Sequence, residues 1–395
     1  MLDARGLGFL QTPEGVACVA EAERLGGELL HRIATMRRRH AAERSGAALA
    51  LVELRRRAAA RFELADRMLF TSVGLEQASG SVAARWRASR FPQGVTVADL
   101  CCGIGGDTME LARRGSVLAF DTDLACCLCA RANASLVAPH GVSVARADVA
   151  NLRLREAYLV ADPSRRLGAR RFLSGDDYSP PLSAMHQIAA SAEAAALKLS
   201  PAIPDVELDA LGARVEFVSV GRECREAVAW YGSAGPSARR SAAVLPEGAV
   251  LEQREEATPP VRGPSDWILE PDPAVIRAHL VRELAGDLGA ALLDPRVAIL
   301  TMDRPVATPF ARAFRLIDAM PLHLRRLQRR LAHLDAGVSA VKCRAAPVDS
   351  EALLRALPRR GERSVVVIAT RVGERVVALI CEAPGLRQTD AEGAP

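Results

Sequence analysis

The chain has 395 residues, of which 49% are hydrophobic and 25% charged, and its formal net charge is +5. These values exclude a disordered or fibrous protein, and the length predicts two or three compact units. No apolar run approaches the ~20 residues of a membrane-spanning helix, and the first residues lack the pattern of a secretory signal, so we predict a cytoplasmic protein.

Lys198 and Lys342 are the only lysines, so nearly all positive charge is arginine. Such a bias is typical of a GC-rich genome and does not by itself indicate nucleic-acid binding.

The first 90 residues are predicted to form a helical N-terminal region. Residues 15–36 and 48–70 carry apolar side chains at three- and four-residue spacing and contain few strand formers. A further helix is expected after Thr71 or Ser72, either of which can cap its first turn.

Residues 91–245 are predicted to form an α/β domain in which strands alternate with helices. Strands are expected in VTVADLCC, SVLAFD, VSVARAD and AYLVAD, with helices in DTMELARRG and LACCLCARANASLV. This alternation predicts a doubly wound, mostly parallel sheet of the Rossmann-like kind.

A Pro-, Gly- and Glu-rich stretch near 246–265 indicates the next boundary. Residues 246–385 are predicted to form a separate α+β unit, with helices at 273–293 and in PLHLRRLQRRLAHL and SEALLRALPRR, and with a hairpin at its end. Residues 386–395 are predicted to be a flexible tail.

The segment VADLCCGIGGDTMELA joins a strand to a helix through a glycine-rich turn. A phosphate-binding P-loop is excluded because no Gly-Lys-Ser/Thr follows. The dinucleotide pattern G-x-G-x-x-G is not met, since Gly103 and Gly105 are followed by Thr108. In addition, a carboxylate at Asp107, in the first helical turn, would repel a pyrophosphate there. A dehydrogenase is therefore the least favoured function.

S-adenosylmethionine carries no phosphate and suits the same loop. Asp99 can accept from its cationic amino group, Asp121 from the ribose hydroxyls and Asp148 from the adenine amino group, while glycines permit close backbone approach. Each aspartate ends a predicted strand at the edge where open α/β sheets bind ligands. The predicted cofactor-binding residues are Asp99, Cys101, Gly103, Gly105, Asp121 and Asp148.

Each of these residues has an alternative interpretation. Asp99 could cap the turn, Asp148 could be a turn residue, and Cys101 could serve loop packing. Asp123 competes with Asp121 for the ribose, although Asp123 is better placed as the N-cap of the next helix.

This pattern resembles the class I S-adenosylmethionine-dependent methyltransferases over roughly residues 70–245. DLCCGIGGDT is similar to the D-x-F-C-G-x-G-G-N-T loop of the trimethylguanosine synthase-like group. The whole chain resembles a bacterial family of methyltransferases with a THUMP-like, ferredoxin-like C-terminal domain, through DPSRR, DDYSPPL, EPDPAVIRAHLV and TPFARAF. The resemblance implies S-adenosyl-L-methionine as cofactor and RNA as a partner.

The fourth predicted strand ends in DPSRR, where amine methyltransferases commonly carry Asp/Asn-Pro-Pro-aromatic. Asp162 and Pro163 are kept, but serine and Arg165 replace the second proline and the aromatic ring. We therefore predict that Asp162 orients the acceptor and that Arg165 anchors an anionic group. Tyr178 could supply a ring from the adjacent loop. Alternatively, Arg165 and Arg166 pair with Asp176 or Asp177 and only order that loop. The predicted catalytic residues are Asp162, Pro163, Arg165 and Tyr178.

The helix PLHLRRLQRRLAHL is predicted to bury one stripe of leucines, Leu324, Leu327, Leu331 and Leu334. Its arginines then form a basic surface for RNA phosphates, since the helix contains no acidic residue. Those residues are Arg325, Arg326, Arg329 and Arg330, joined by Arg344, Arg359, Arg360, Arg363 and Arg371. A solvated helix face is the alternative.

No metal is expected, because the Cys126–Cys129 pair has no second pair to complete a zinc tetrahedron. The sequence thus favours an RNA methyltransferase. A methyltransferase for an anionic small molecule or protein, and a non-catalytic RNA-binding protein, remain as alternatives.

Overall fold

A computed structural model describes residues 2–152, 157–165, 178–254 and 258–383. The chain divides into two compact units. Unit 1 comprises Met1–Val220 and Arg225–Arg239, and unit 2 comprises Gly221–Cys224 and Arg240–Pro395. Within the described ranges, none of the helices has the length and apolarity needed to cross a membrane.

The predicted helical region is present, although residues 15–36 are divided between two helices and residues 59–70 form turns and irregular backbone. Unit 1 thus begins with six helices. Thr71 caps the fifth of them by accepting a hydrogen bond from the Gly74 backbone N–H at 2.9 Å. The apolar faces of the first five helices form a core with Ile104 of the glycine-rich loop. The helices are α1 (Ala4–Leu10), α2 (Pro13–Arg24), α3 (Leu29–Met36), α4 (Ala42–Ala58), α5 (Ser72–Gln77) and α6 (Ser81–Ser89).

The rest of unit 1 is built on a mostly parallel sheet. Its strands are β1 (Thr96–Leu100), β2 (Ser116–Asp121), β3 (Val142–Arg146), β4 (Tyr158–Ala161), β7 (Ala194–Leu199), β8 (Arg214–Val220) and β9 (Glu223–Gly232). The spatial order is β8-β9-β7-β4-β1-β2-β3. Strands β3, β2, β1, β4 and β7 run parallel, and β9 is antiparallel to β7.

The connections carry helices α7 (Gly106–Ala112), α8 (Leu124–Ala134), α9 (Leu182–Ala190) and α10 (Asp205–Ala210) and a short 3-10 helix at Val149–Asn151. A two-stranded ribbon, β5 (Ser164–Arg165) and β6 (Tyr178–Ser179), follows β4 in the chain. The predicted α/β fold with a parallel sheet is confirmed.

A buried amide ties the glycine-rich loop to the N-terminal helices. The Asn133 side chain donates to Ile104 O at 2.8 Å and to Leu69 O at 2.9 Å, and it accepts from the Leu69 N–H at 2.7 Å. Both polar atoms of this buried side chain therefore help to fix the backbone around the loop.

Unit 2 contains a seven-stranded sheet. Its strands are β12 (Trp267–Pro271), β13 (Ala291–Leu292), β14 (Leu300–Met302), β15 (Ala311–Pro321), β16 (Ala336–Arg344), β17 (Arg363–Val372) and β18 (Arg375–Glu382). They lie in the order β13-β14-β12-β15-β18-β17-β16. The strands β16 and β17 are parallel, and the other pairs are antiparallel. Unit 2 also contains β10 (Arg240–Leu245) and β11 (Ala249–Glu252), which pair antiparallel to each other. The helices are α11 (Pro273–Arg277), α12 (Val281–Leu288), α13 (Leu324–His333) and α14 (Ser350–Ala356).

The α+β character of this unit and its terminal hairpin are confirmed, but two details differ. The predicted helix over 273–293 is two helices followed by the short strand β13. The leucine stripe of α13 is also narrower than predicted: Leu327 and Leu331 are fully buried, whereas Leu324 is 42% exposed. Leu324 is the first residue of α13, and Leu334, its C-cap, is half-buried.

Candidate functional site

A cleft of about 1350 Å³ opens at the carboxyl edge of the unit 1 sheet. Leu100 of β1 is in register with Phe120 of β2 and with Ala161 of β4, and Ala161 is in register with Leu197 of β7. The residues that follow these positions therefore meet at one edge. Those that line the cleft include Cys101, Asp121, Asp162 and Lys198, together with Asp99 from the end of β1.

Asp99 is the most buried carboxylate of the cleft, with 1% of its surface exposed. Its Oδ2 accepts a hydrogen bond from the Thr108 hydroxyl at 2.5 Å. Its Oδ1 is buried and has no hydrogen-bond partner among the described residues. Burial and the nearby charge of Asp107 hold the pKa of Asp99 well above its usual range. A cationic hydrogen-bond donor would stabilise a buried carboxylate oxygen that lacks a partner.

The glycine-rich loop turns through the left-handed backbone region at Cys101 (φ 61°), Gly103 (φ 54°) and Gly105 (φ 85°). A Cβ at Gly105 would lie 2.8 Å from the Cα of Ala130, so helix α8 packs directly on this glycine. A Cβ at Gly103 would meet nothing within 4 Å. The first glycine thus faces open space in the cleft, whereas the second is required by packing.

The carboxylates of Asp121 and Asp123 make different contacts. The Asp121 carboxylate accepts from the backbone N–H of Gly103 and from that of Asp123, both at 2.9 Å. Burial raises the pKa of Asp121. Asp123 caps α8 by accepting from the Ala125 N–H at 2.8 Å, as its position after β2 predicts.

Asp148 is exposed and lines the same cleft. It caps the short 3-10 helix by accepting from the Ala150 N–H at 3.0 Å, and it also accepts from the Asn151 side-chain amide at 3.1 Å.

The cysteines around the loop are protonated thiols near neutral pH. Burial and the charge of Asp121 raise the pKa values of Cys101 and Cys126, and burial raises that of Cys129 to about 12. Such thiols are poor nucleophiles. Within the described ranges, no cluster of three or more histidine, cysteine or acidic side chains is arranged to hold a metal ion.

Beyond β4 the cleft is lined by three of the predicted acceptor residues, Asp162, Pro163 and Tyr178. Asp162 forms an ion pair with Lys198, Oδ2 to Nζ 2.5 Å, and Pro163 is buried. The backbone of Arg165 pairs with that of Tyr178 in the β5–β6 ribbon. Tyr178 is 2% exposed, and its hydroxyl accepts from the Ser200 N–H at 3.0 Å. Arg166, Asp176 and Asp177, for which alternative pairings are predicted, lie outside the described residues.

The negative charge of Asp107 is compensated by an ion pair with Arg87. The fully buried Arg87 of α6 donates to Asp107 Oδ1 from Nη2 at 2.6 Å and from Nε at 3.0 Å, and it also pairs with Glu226 of β9. The first turn of α7 thus carries an internal ion cluster.

Comparison with known proteins shows the family. The chain is 35% identical over 342 residues to an "uncharacterized S-adenosylmethionine-dependent methyltransferase" of Mycobacterium tuberculosis, in each of the strains CDC 1551 and H37Rv. These alignments cover 83% of this chain and 94% of each relative. The chain belongs to the S-adenosylmethionine-dependent methyltransferases.

A solved structure shares the fold of the methyltransferase. It is the crystal structure of a "putative methyltransferase" from Porphyromonas gingivalis W83, which is 20% identical with a TM-score of 0.74. The match covers 97% of this chain and all of that one. Two family models also match: a THUMP domain-like model over residues 311–383, and a domain of unknown function, DUF8688, over residues 3–58.

The cleft of the methyltransferase fits its cofactor. The unpartnered Oδ1 of Asp99 suits the ammonium of S-adenosylmethionine, and the open space beside Gly103 leaves room for the ligand. When bound, the cofactor supplies an electrophilic methyl group on a sulfonium. The protein then has to orient the acceptor and to receive at most one proton.

Several residues that shape this site were not identified from the sequence. Lys198 and Arg87 act on Asp162 and Asp107 across separations of 36 and 20 residues, so no local motif connects them. The N-terminal helices also line the cleft, with Val73 and Val82 exposed by 41% and 37% at the cleft. Exposure of these valines follows only from the tertiary fold.

The predicted basic surface of α13 is present in part. Arg325, Arg326 and Arg329 are exposed, and none forms an ion pair within the described part of the chain. Arg330 instead donates from Nε to Asp318 of β15 at 2.6 Å. The predicted surface of four arginines on α13 is therefore reduced to three, because a neighbouring strand supplies the acid that the helix lacks.

Proposed function

We propose that this methyltransferase modifies RNA, that unit 2 binds the RNA, and that unit 1 transfers the methyl group. The proposal is supported chiefly by the three arginines of α13 that form no ion pair with any described residue, and which lie inside the segment that matches the THUMP domain-like model. Closely spaced guanidinium groups without carboxylate partners suit the phosphates of a nucleic-acid strand.

Further arginines adjoin this surface. The backbone N–H of Arg363 donates to Asp335 O, directly after α13, at 3.0 Å. The Gln328 side chain donates to Ala356 O at 2.7 Å, so α13 also lies beside the loop that holds Arg359 and Arg360. Arg359, Arg360 and Arg363 are all exposed. Arg344 and Arg371, by contrast, are paired with Glu270 and Glu374.

In unit 1, the proposal assigns the cofactor to Asp99, Cys101, Gly103, Asp121 and Asp148, all of which line the cleft. Gly105, predicted as a further contact, is instead taken up by packing against Ala130. Asp99 would accept from the ammonium, Asp121 from the ribose and Asp148 from the adenine amino group. Asp162 would orient the acceptor at the end of β4, beside Pro163. Tyr178 would form the wall of the acceptor region, and Arg165 would anchor an anionic group of the substrate.

The experiment that tests this function is transfer of labelled methyl groups to RNA from a strain that lacks the gene. We expect one methylated nucleoside to appear on digestion with the wild-type enzyme and none with Asp99→Ala. RNA from a strain that keeps the gene should accept little label, because its sites are already methylated. Label in protein or small molecules, and none in RNA, would contradict the proposal.

Charge reversal tests the RNA surface separately. The variant Arg325→Glu/Arg326→Glu/Arg329→Glu should weaken RNA binding and reduce its salt slope by about 2, since each phosphate contact contributes roughly 0.7 for a single strand. Arg375→Glu is the control for a single charge reversal, because Arg375 is exposed and lies at the opposite end of the β17–β18 hairpin from Arg363. If each single reversal, Arg325→Glu, Arg326→Glu or Arg329→Glu, weakens RNA binding no more than Arg375→Glu does, only net charge matters and the α13 surface is not the RNA site.

A further inference from the structure

Lys198 holds a position in the cleft that the proposed roles leave unexplained. It lies on β7, directly after the residue in register with Ala161, and so stands beside Asp162 on the neighbouring parallel strand. The two side chains are 14% and 27% exposed, and both line the cleft. Their contact of 2.5 Å therefore belongs to the edge at which the acceptor is expected.

Several charged or ionisable side chains lie near Asp162. Asp99 and Arg87 both lie within its electrostatic reach, as does the thiol of Cys101. Arg87 is committed to Asp107 and to Glu226. In the described part of the chain, Lys198 is the residue that forms an ion pair with Asp162.

The carboxyl end of β7 also anchors the other wall of the acceptor region. Ser200 follows the strand, and its N–H donates to the Tyr178 hydroxyl at 3.0 Å. Tyr178 in turn pairs through its backbone with Arg165. One strand end thus fixes both a carboxylate and an aromatic residue of the proposed acceptor site.

The ion pair changes what the site can recognise. Asp162 uses Oδ2 for Lys198, which leaves Oδ1 to accept a further hydrogen bond. An ammonium has three donors, of which this contact uses one. The pair therefore presents a hydrogen-bond acceptor and donors side by side, with no net charge.

We propose that Lys198 is a positioning residue for methyl transfer: it holds the Asp162 carboxylate toward the acceptor, and the pair selects an uncharged acceptor edge with an N–H beside a lone pair. A nucleobase presents such an edge, so the proposal rests on the proposed RNA function for its substrate class. A bare carboxylate would instead favour a cationic amine.

The first experiment measures the ion pair without requiring activity. Because the chain has only two lysines, an amine-specific reagent applied to the full-length protein and mapped by mass spectrometry distinguishes Lys198 from Lys342. Lys342 is paired with Glu270 at 2.7 Å and serves as the internal control. In Asp162→Asn we expect the labelling rate of Lys198 to rise about fivefold, and that of Lys342 to stay constant. Equal rates for Lys198 in the two proteins would overturn the pairing.

The second experiment measures the effect on transfer. We expect Lys198→Met to lower kcat/KM for RNA by about tenfold to a hundredfold, the range for a hydrogen bond to a charged group, with most of the loss in kcat. Lys198→Arg should recover most of it, and the affinity for S-adenosylhomocysteine should be unchanged in both variants. Arg239→Met is the control, because it breaks the exposed Arg239–Asp209 pair elsewhere in unit 1.

Failure of the positioning role can be distinguished from failure of the proposed RNA function. Unchanged kcat in Lys198→Met, or loss confined to thermal stability, would overturn the positioning role. If the wild-type enzyme methylates no RNA, the proposed function fails, while the labelling experiment still decides whether Lys198 holds Asp162.

Discussion

Asp99 is a buried carboxylate with one oxygen bound to Thr108 and the other without a partner among the residues that the structure describes. In isolation such an arrangement destabilises the ionised side chain, which is why its pKa is raised. A ligand that brings a cation to Oδ1 removes this cost. On the proposed assignment, the contact between Asp99 and the ammonium would therefore contribute to the binding free energy of the cofactor.

The substitution Asp99→Asn should therefore weaken binding of S-adenosylhomocysteine by about tenfold to a hundredfold, the usual range for a hydrogen bond to a charged group. Isothermal titration calorimetry measures the effect. Asp123→Asn is the matched control, because Asp123 lines the same cleft but is occupied in capping α8. Equal affinity in wild type and Asp99→Asn would contradict the assignment of the ammonium to Asp99.

The raised pKa of Asp99 also predicts a pH dependence. A carboxyl group with a raised folded-state pKa binds its proton more tightly when folded than when unfolded. Its contribution to the free energy of unfolding therefore falls as pH rises from its ordinary pKa through the raised value. The cofactor's ammonium requires the ionised form, so its affinity should decrease as pH is lowered through the raised pKa. Titrations with S-adenosylhomocysteine at several pH values should show this decrease in wild type, whereas Asp99→Asn should lack this component.

The loop between β1 and α7 contains two glycines that are needed for different reasons. Gly103 and Gly105 both have positive φ, but only the second is confined by a neighbouring backbone, that of Ala130. Sequence spacing alone does not distinguish ligand access from packing, since both are met by glycine.

Alanine at these two positions should separate the requirements. Gly103→Ala should lower thermal stability only by the cost of a left-handed alanine, roughly 1–2 kcal/mol, and should reduce cofactor affinity because its Cβ enters the cleft. Gly105→Ala should destabilise the fold further, because it adds overpacking against Ala130 of about 1–3 kcal/mol. Thermal unfolding and calorimetry on the same samples check both effects. Similar unfolding curves for the two variants would show that the packing argument is wrong.

Helix α6 is joined to α7 and β9 through the buried Arg87. The substitution Arg87→Met leaves the carboxylates of Asp107 and Glu226 buried without their cation, and should lower the free energy of unfolding by about 3–5 kcal/mol. Arg239→Met, which breaks an exposed pair, should change it by less than about 1 kcal/mol. Denaturant titration compares the two, and a small effect of Arg87→Met would indicate that solvent or protonation compensates the carboxylates.

The sequence predicts the helices and strands that depend mainly on residues close together in the chain. The strand SVLAFD begins and ends as predicted, and Asp123 caps the next helix, because both depend on neighbouring residues. The eleven-residue strand β15 was not predicted, although it lies at the centre of the unit 2 sheet. It mixes charged and apolar residues without strict alternation, and only its pairing with β12 and β18 makes it a strand. The Asp162–Lys198 pair was missed for a similar reason, because it depends on which strands become neighbours.

At the scale of the whole molecule, the residues of the cofactor site and the basic surface belong to different compact units. Asp99, Asp121 and Asp162 lie in unit 1, whereas the arginines of α13 lie in unit 2. Substitutions at sites that share no partners usually have additive free energies. Cofactor binding and the proposed RNA binding should therefore respond to separate sets of variants.

A double-variant cycle tests this separation in the full-length enzyme. Lys198→Met should lower kcat/KM for RNA mainly through kcat, and the triple reversal at Arg325, Arg326 and Arg329 mainly through KM, because the first acts on the acceptor and the second on the bound strand. In the combined variant the two losses should multiply to within about twofold, the precision expected for independent sites. The affinity for S-adenosylhomocysteine should remain that of the wild type throughout. A combined loss no larger than that of either parent would show that the arginines and Lys198 act on the same step, and RNA capture by unit 2 would then not be a separate function.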